Sequence, residues 1–169
     1  MVQIVISRVF LFFLFAALQA LVFNHIHLFG YATPMPYVYF LLILPSATPR
    51  WAYVAIGFVL GLLMDLFTNT PGMAAASLCA AALVTPALLR IFSPSDEDEE
   101  AFLPSAKTME WGRFLQFALA VILVHCILFF IIEAFTFFDL ERLLLDILGS
   151  TILTFAFVAA FELIRSGRK

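Results

Sequence analysis

Charged residues are scarce in this chain. Only 12% of its 169 residues are Asp, Glu, Lys or Arg, whereas 64% are hydrophobic and 21 are Phe. Water-soluble domains carry about 25% charged residues, because they must cover their surface with polar groups. The shortage of charge excludes an ordinary soluble domain and predicts an all-α, polytopic integral membrane bundle. The few basic residues also argue against nucleic-acid binding.

Residues for catalysis and metal binding are scarce as well. The two cysteines, Cys79 and Cys126, lie in apolar stretches, which is typical of small buried side chains and not of a disulfide or a metal pair. His25 and His27 could project to one side of an extended loop, but a metal site needs further ligands. No nucleophile is accompanied by a base, and no Gly-rich phosphate loop is present. We therefore expect no enzyme and no cofactor.

Six apolar stretches are candidate membrane spans within a single transmembrane domain, residues 1–169. A span needs about 20 residues, so the second stretch is short. Prolines flank it at positions 34, 36, 45 and 49, and they predict a helix with an irregular or extended end, which is tolerated at membrane depth only where protein covers it. The stretches are about residues 2–23, 36–48, 51–68, 72–92, 112–137 and 143–165.

Basic residues give the expected orientation. Of the nine Lys and Arg residues, Arg142 alone falls on one side of a six-span arrangement. Basic residues accumulate on the cytoplasmic side of membrane proteins, so both termini should be cytoplasmic in a multi-pass protein. Residues 9–23 could be the core of a signal peptide, but we expect an uncleaved first helix because further spans follow directly. The other eight basic residues are Arg8, Arg50, Arg90, Lys107, Arg113, Arg165, Arg168 and Lys169.

The longest connection, residues 93–111, contains an acidic run from Asp96 to Glu100. A run of like charges is usually a solvated linker. We expect that here, on the cytoplasmic side, with a docking site for a basic partner as the alternative.

Four ionisable residues lie in or beside the predicted spans. The orientation puts Asp65, Glu133 and Asp146 in the outer half and His125 near the midplane. These acids either form a polar pocket that opens outward or extend separately to the headgroups, and the second reading is favoured for Glu133 and Asp146. A proton relay from His125 to Glu133 would need further polar partners.

Asp65 belongs to a stripe at helical spacing with Gly57 and Gly61, followed by a turn at Pro71 and Gly72. Residues four apart lie on one face of a helix, and glycine lets another backbone approach closely. A carboxylate inside a membrane span usually faces protein. The glycine–aspartate stripe (Gly57, Gly61 and Asp65) therefore predicts a surface that packs within the bundle or against a partner.

The stripe and the turn resemble MreD, the rod shape-determining membrane protein of bacteria. Length, six-span layout and the Pro-flanked second span fit the same family, although the acidic run and Met73 depart from it. The resemblance implies a non-enzymatic scaffold in the inner (cytoplasmic) membrane that supports lateral peptidoglycan synthesis in the elongasome. Its implied partners are MreC, RodA, penicillin-binding protein 2, the MreB system and membrane lipid. Gly57, Gly61, Asp65, Pro71 and Gly72 are the family positions.

A second reading is a substrate-binding membrane subunit of an energy-coupling-factor vitamin transporter, which is similar in size, span count and general architecture. Ala16 and Ala20 look like the small-residue pair through which such subunits dock to their partner, but pairs of this kind are common in membrane helices. Such a subunit should also present a polar and aromatic pocket on its outer side.

Overall fold

The structure, a computed structural model, describes residues 2–23, 31–93, 102–135 and 139–167, with side chains from residue 9 onward. Within these residues the fold is all-α, as expected. The long helices occupy five of the six predicted apolar stretches. The six helices are α1 (Val2–Leu21), α2 (Tyr39–Leu42), α3 (Arg50–Thr68), α4 (Met73–Phe92), α5 (Trp111–Ala134) and α6 (Leu140–Gly167).

Four of these helices, α3 to α6, are long and apolar enough to cross a membrane. The part of α1 whose side chains are described, Val9–Leu21, is a shorter apolar helix. Many large apolar side chains of these helices face outward, among them Leu66, Ile91 and Ile152. An apolar exterior on long apolar helices indicates a multi-pass membrane protein.

The second predicted stretch does not form one helix. Residues 31–49, here called the Pro-framed segment, contain a 3-10 turn at Pro36–Val38 and the short helix α2, which ends at Leu42. Helical turns therefore cover residues 36–42, and the rest of the predicted stretch, up to residue 48, is the irregular end that the prolines predict. Proline at position 45 cannot donate a hydrogen bond and would clash with the carbonyl of Leu41. Residues 34–44 are all buried, so protein covers the irregular backbone.

Helix α6 supplies hydrogen-bond acceptors to the extended start of this segment. The Thr33 N–H donates to Ser150 Oγ at 3.0 Å, and the Met35 N–H donates to Thr154 Oγ1 at 2.9 Å. Ser150 and Thr154 are four residues apart and lie on one face of α6. A backbone N–H group without an acceptor is unfavourable in an apolar environment. The two hydroxyls supply the acceptors that helical hydrogen bonding would otherwise provide.

Further contacts hold the segment along its length. At its start, the Gln19 Nε2 of α1 donates to the Pro34 carbonyl at 3.0 Å. At its end, the Ser46 N–H donates to the Phe102 carbonyl at 3.0 Å, and the Phe102 N–H donates to Ser46 Oγ at 2.9 Å. The segment thus runs beside α6 from one end of the bundle to the loop that precedes α5.

Helices α3 and α4 form a closely packed hairpin, and α5 packs on α4 and α6. Glycine and alanine residues are concentrated where α3 meets α4, which allows close approach of the two backbones. Larger apolar groups fill the centre of the bundle. The largest fully buried ones include Tyr53, Leu60, Met64, Leu78, Phe114, Phe117 and Ile122.

Candidate functional site

The Asp65 carboxylate caps the N-terminus of helix α4. Asp65 lies near the end of α3 and is only 7% exposed. Its Oδ1 accepts from the Ala74 N–H at 2.9 Å and from the Thr70 hydroxyl at 2.6 Å, and its Oδ2 accepts from the Ala75 N–H at 2.9 Å. The first amides of a helix have no partner within it, and the partial positive charge there favours a carboxylate. Asp65 therefore supplies the cap that the N-cap residue of α4, Gly72, cannot supply.

The two glycines of the stripe lie against the backbone of α4. A Cβ built on Gly61 would lie 2.4 Å from the Ala75 Cα and 2.7 Å from both the Ala74 carbonyl oxygen and the Ala75 nitrogen. A Cβ on Gly57 would lie 3.0 Å from the Leu78 carbonyl oxygen and from a methyl group on α4. The stripe is thus the face of α3 that packs on α4.

The turn between these helices has two residues in the left-handed region. Asn69 ends α3 at φ 55° and Gly72 precedes α4 at φ 82°. A Cβ on Gly72 would meet nothing within 4 Å, so its backbone conformation, and not lack of space, favours glycine. The Thr70 N–H donates to the Asp65 carbonyl at 3.1 Å, which closes the turn over the carboxylate. Pro71 lies between these residues and fits ordinary turn chemistry.

His125 is fully buried in α5, and its Nε2 lies 2.8 Å from the Tyr37 hydroxyl. The two rings also make an edge-on contact, with centroids 5.3 Å apart. His125 therefore connects α5 to the Pro-framed segment. Its observed partner is this tyrosine, whereas the sequence offered Glu133 as a possible relay partner.

A cavity of about 370 Å³ lies at the end of the bundle that holds the α3–α4 turn. Side chains of α1, the Pro-framed segment, α3, α4 and α5 surround this polar cavity. Its polar lining consists of Gln19, Thr33, Tyr37, Thr68, Thr70 and Glu133. Its apolar lining consists of Ala20, Met35, Met64, Phe67, Ala74, Phe129 and Phe130.

The three predicted outer-half acids do not meet in one pocket. Glu133 lines the polar cavity, whereas Asp65 and Asp146 are not among the described residues that line it. Asp65 faces the α4 N-terminus, and Asp146 lies partly buried on α6. Asp65 is buried, Asp146 is partly buried and Glu133 is exposed.

Sequence reasoning missed Glu162, which is fully buried near the end of α6. Its Oε2 accepts from the Tyr39 hydroxyl at 2.7 Å and pairs with the Arg165 Nη1 at 3.2 Å, and its Oε1 accepts from the Ala106 N–H at 2.8 Å. Arg165 also donates to the Pro104 carbonyl at 3.1 Å. The available signal was an acid inside an apolar stretch with a base three residues later, on the same helix face.

This network ties α2 and the loop before α5 to α6, and Tyr39→Phe tests it. We expect the variant to lower the free energy of unfolding by about 1.5 kcal/mol, since it removes the hydrogen bond that Tyr39 donates to Glu162 and the long one, 3.4 Å, that it accepts from Arg165. Tyr31→Phe is the matched control, because Tyr31 is 43% exposed. Equal stability of the two variants in a denaturant titration in detergent would contradict the role given to Tyr39.

The described residues hold no group of three or more His, Cys, Asp or Glu side chains that could bind a metal ion. Cys126 is buried and Cys79 partly buried, and neither forms a disulfide. His25, His27 and the acidic run Asp96 to Glu100 lie outside the described residues. Searches of protein-family models, curated proteins and solved structures find no match to this chain.

Proposed function

We propose that this chain is a non-enzymatic scaffold subunit of the inner membrane, of the kind that the resemblance to MreD implies. The observation that carries the proposal is the use of the stripe. Gly57 and Gly61 pack on the α4 backbone, and Asp65 caps that helix. The residues that carry the resemblance to MreD therefore stabilise the helix bundle. This is expected of a scaffold, a protein that acts by binding and positioning its partners.

The exterior of the bundle suits contact with lipid and with other membrane helices. Helix α3 exposes Phe58, Leu62 and Leu66, and α6 exposes Leu148 and Ile152. Within a membrane, helices associate by packing such surfaces against one another. An MreC-type partner and the wall synthases RodA and penicillin-binding protein 2 are the proposed occupants of part of this exterior.

The path of the Pro-framed segment supports six crossings, which would leave both termini on one side, and the distribution of basic residues favours the cytoplasm for that side. The segment contacts Ser150 near its start and Glu162, through Tyr39, further along. It therefore follows α6 over a stretch of about 18 Å, at 1.5 Å per helical residue. A buried, partly extended segment of this length can take the place of a second spanning helix. The α3–α4 turn and the polar cavity then face outward.

The polar cavity favours a second candidate, the substrate-binding subunit of an energy-coupling-factor vitamin transporter. Its volume and mixed polar and aromatic lining are those of a small-molecule site. Against this candidate, Ala16 is only 4% exposed and Ala20 lines the cavity. This small-residue pair therefore packs inside the bundle, where it offers no docking surface to a transporter partner.

Affinity purification in a mild detergent from the native host separates the two candidates. We expect the tagged chain to recover MreC, together with RodA or penicillin-binding protein 2, at levels well above those obtained with an unrelated multi-pass protein carrying the same tag. Recovery of a pair of transporter ATPases, or of a tightly bound vitamin, would contradict the scaffold proposal and support the second candidate.

A further inference from the structure

The Pro-framed segment depends on protein for its place in the bundle. Residues 34–44 are all buried, so no side of this stretch faces lipid. A helix needs about 20 apolar residues to span a bilayer, whereas the prolines at positions 36 and 45 enclose only residues 37–44. Irregular backbone is tolerated at membrane depth only where protein satisfies its N–H and C=O groups. Without protein partners, the segment therefore does not belong in the bilayer core.

The helices that are synthesised first contact the two ends of this stretch. Gln19 of α1 donates to the Pro34 carbonyl at 3.0 Å. The Tyr53 hydroxyl of α3 lies 3.4 Å from the Leu44 carbonyl oxygen and 3.3 Å from that of Pro45. These contacts supply donors to carbonyl oxygens, whereas the backbone N–H groups near the start of the segment need acceptors.

The polar partners of the middle of the segment are synthesised much later. The Met35 N–H donates to Thr154 Oγ1, which lies 119 residues further along the chain. The Tyr39 hydroxyl donates to Glu162, 123 residues further along, and α5 contributes His125, 88 residues after the tyrosine that it contacts. At about 5–20 residues per second, synthesis reaches Thr154 roughly 6–24 s after Met35.

Helix α6 presents its partners on a face that is suited to receive the segment. The helix is long and apolar enough to cross a membrane. Ser150, Thr154 and Glu162 are fully buried and lie on one face, at spacings of four and eight residues. A hydroxyl on a helix can donate to the carbonyl four residues earlier. The Ser150 and Thr154 hydroxyls can therefore be hydrogen-bonded before the segment arrives and still accept from its N–H groups afterwards.

We infer that the Pro-framed segment takes its buried place only after α6 has inserted, with the Ser150 and Thr154 hydroxyls as its template. Before that, the segment stays in contact with water. This inference is independent of the proposed scaffold function, because it concerns how the chain assembles. The bundle is complete only when its last helix is present, so an interrupted chain differs from the finished protein in the exposure of residues 34–44.

Cysteine labelling during synthesis tests the order of events. Val38→Cys places a thiol in the segment, where Val38 is fully buried, and Val59→Cys places one on the lipid-facing side of α3, where Val59 is 50% exposed. Chains with an N-terminal tag are pulse-labelled, the cells are permeabilised, and a membrane-impermeant maleimide is added to both faces of the membrane. A gel separates chains that end before α6 from complete chains. The protein with its native cysteines alone gives the blank.

In chains that end before α6, we expect Val38→Cys to react and Val59→Cys to be shielded by lipid. In complete chains both thiols should be shielded, so the reactivity of Val38→Cys should fall about tenfold. Leu41→Cys, at another fully buried position, repeats the measurement. Equal shielding of Val38→Cys and Val59→Cys in chains that end before α6 would overturn the inference. Undiminished reaction of both segment thiols in complete chains would overturn it as well.

Variants of α6 test the template itself. Ser150→Ala combined with Thr154→Val should raise labelling of Val38→Cys in complete chains about tenfold, because the segment loses both hydrogen bonds to α6 hydroxyls. Ser77→Ala combined with Thr85→Val is the matched control, since these hydroxyls are also fully buried but donate to carbonyls of α4. Equal labelling of the two double variants would contradict the template. If the first double variant is degraded in the cell, the comparison of incomplete with complete chains decides.

Discussion

Gly61→Ala is expected to lower the free energy of unfolding by about 3 kcal/mol, at the upper end of the range for overpacked positions. The added Cβ would lie 2.4 Å from the Ala75 Cα. Its nearest neighbours are backbone atoms, so no side chain can rotate away, and helix α4 itself must shift. Any shift also moves the Ala74 and Ala75 amides away from the Asp65 carboxylate. A reversible denaturant titration of the purified protein in mixed micelles measures the loss.

Two other glycines provide controls of graded severity. Gly112→Ala adds a methyl group that meets nothing within 4 Å, so we expect no loss and a slight gain from helix propensity. Gly57→Ala brings its Cβ to 3.0 Å from a carbonyl and a methyl group, so an intermediate loss is expected. The order of stability should be Gly112→Ala, then Gly57→Ala, then Gly61→Ala. A Gly61→Ala variant as stable as Gly112→Ala would contradict the close packing of α3 on α4.

Asp65→Ala is the second large effect, and it should also cost about 3 kcal/mol. The substitution leaves the Ala74 and Ala75 amides and the Thr70 hydroxyl without their acceptor. Each buried donor without a partner costs about 1–3 kcal/mol, and part of this cost is relieved where water reaches the turn. The favourable interaction between the carboxylate and the positive end of α4 is lost as well. The same denaturant titration gives the size of the effect.

Asp65→Asn keeps the shape of the side chain and removes its charge, so it separates the contributions of shape and charge to the free energy of unfolding. Its single amide oxygen can accept from one of the two backbone donors, so about half of the loss is expected. Asp146→Asn is the matched control on α6, where the carboxyl is only partly buried and caps no helix. Asp65→Asn and Asp146→Asn with the same stability would show that Asp65 is not a structural cap.

Much of the fold follows from the sequence because long apolar stretches have few possible structures in a membrane. The five long helices could be placed from hydropathy and from their breaks. In the Pro-framed segment, the prolines predict where the helix becomes irregular, but they do not show which acceptors then receive the backbone donors. Ser150 and Thr154 fill that role, and hydroxyls on an apolar helix carry no signal of their target.

The candidate site was partly predictable for the same reason. The spacing of Gly57, Gly61 and Asp65 predicts a packing face, but it does not reveal that the neighbour is the next helix or that the carboxylate reaches amides nine and ten residues later. The turn explains this, because it returns the chain directly onto the carboxylate. Glu162 was missed because its partners, Tyr39 and Ala106, are remote in sequence. The polar cavity requires five separate parts of the chain to come together.

Amide hydrogen exchange at the start of α4 tests the central claim, that the stripe serves as an internal clamp whose carboxylate caps this helix. The Ala74 and Ala75 amides should be protected in the wild type and should exchange about tenfold faster in Asp65→Ala, since a loss of about 1.4 kcal/mol corresponds to a factor of ten. The Ala76 amide, which donates to the Gly72 carbonyl at 3.0 Å, should change far less. Unchanged exchange at Ala74 and Ala75 would contradict the cap and, with it, the structural role of the stripe.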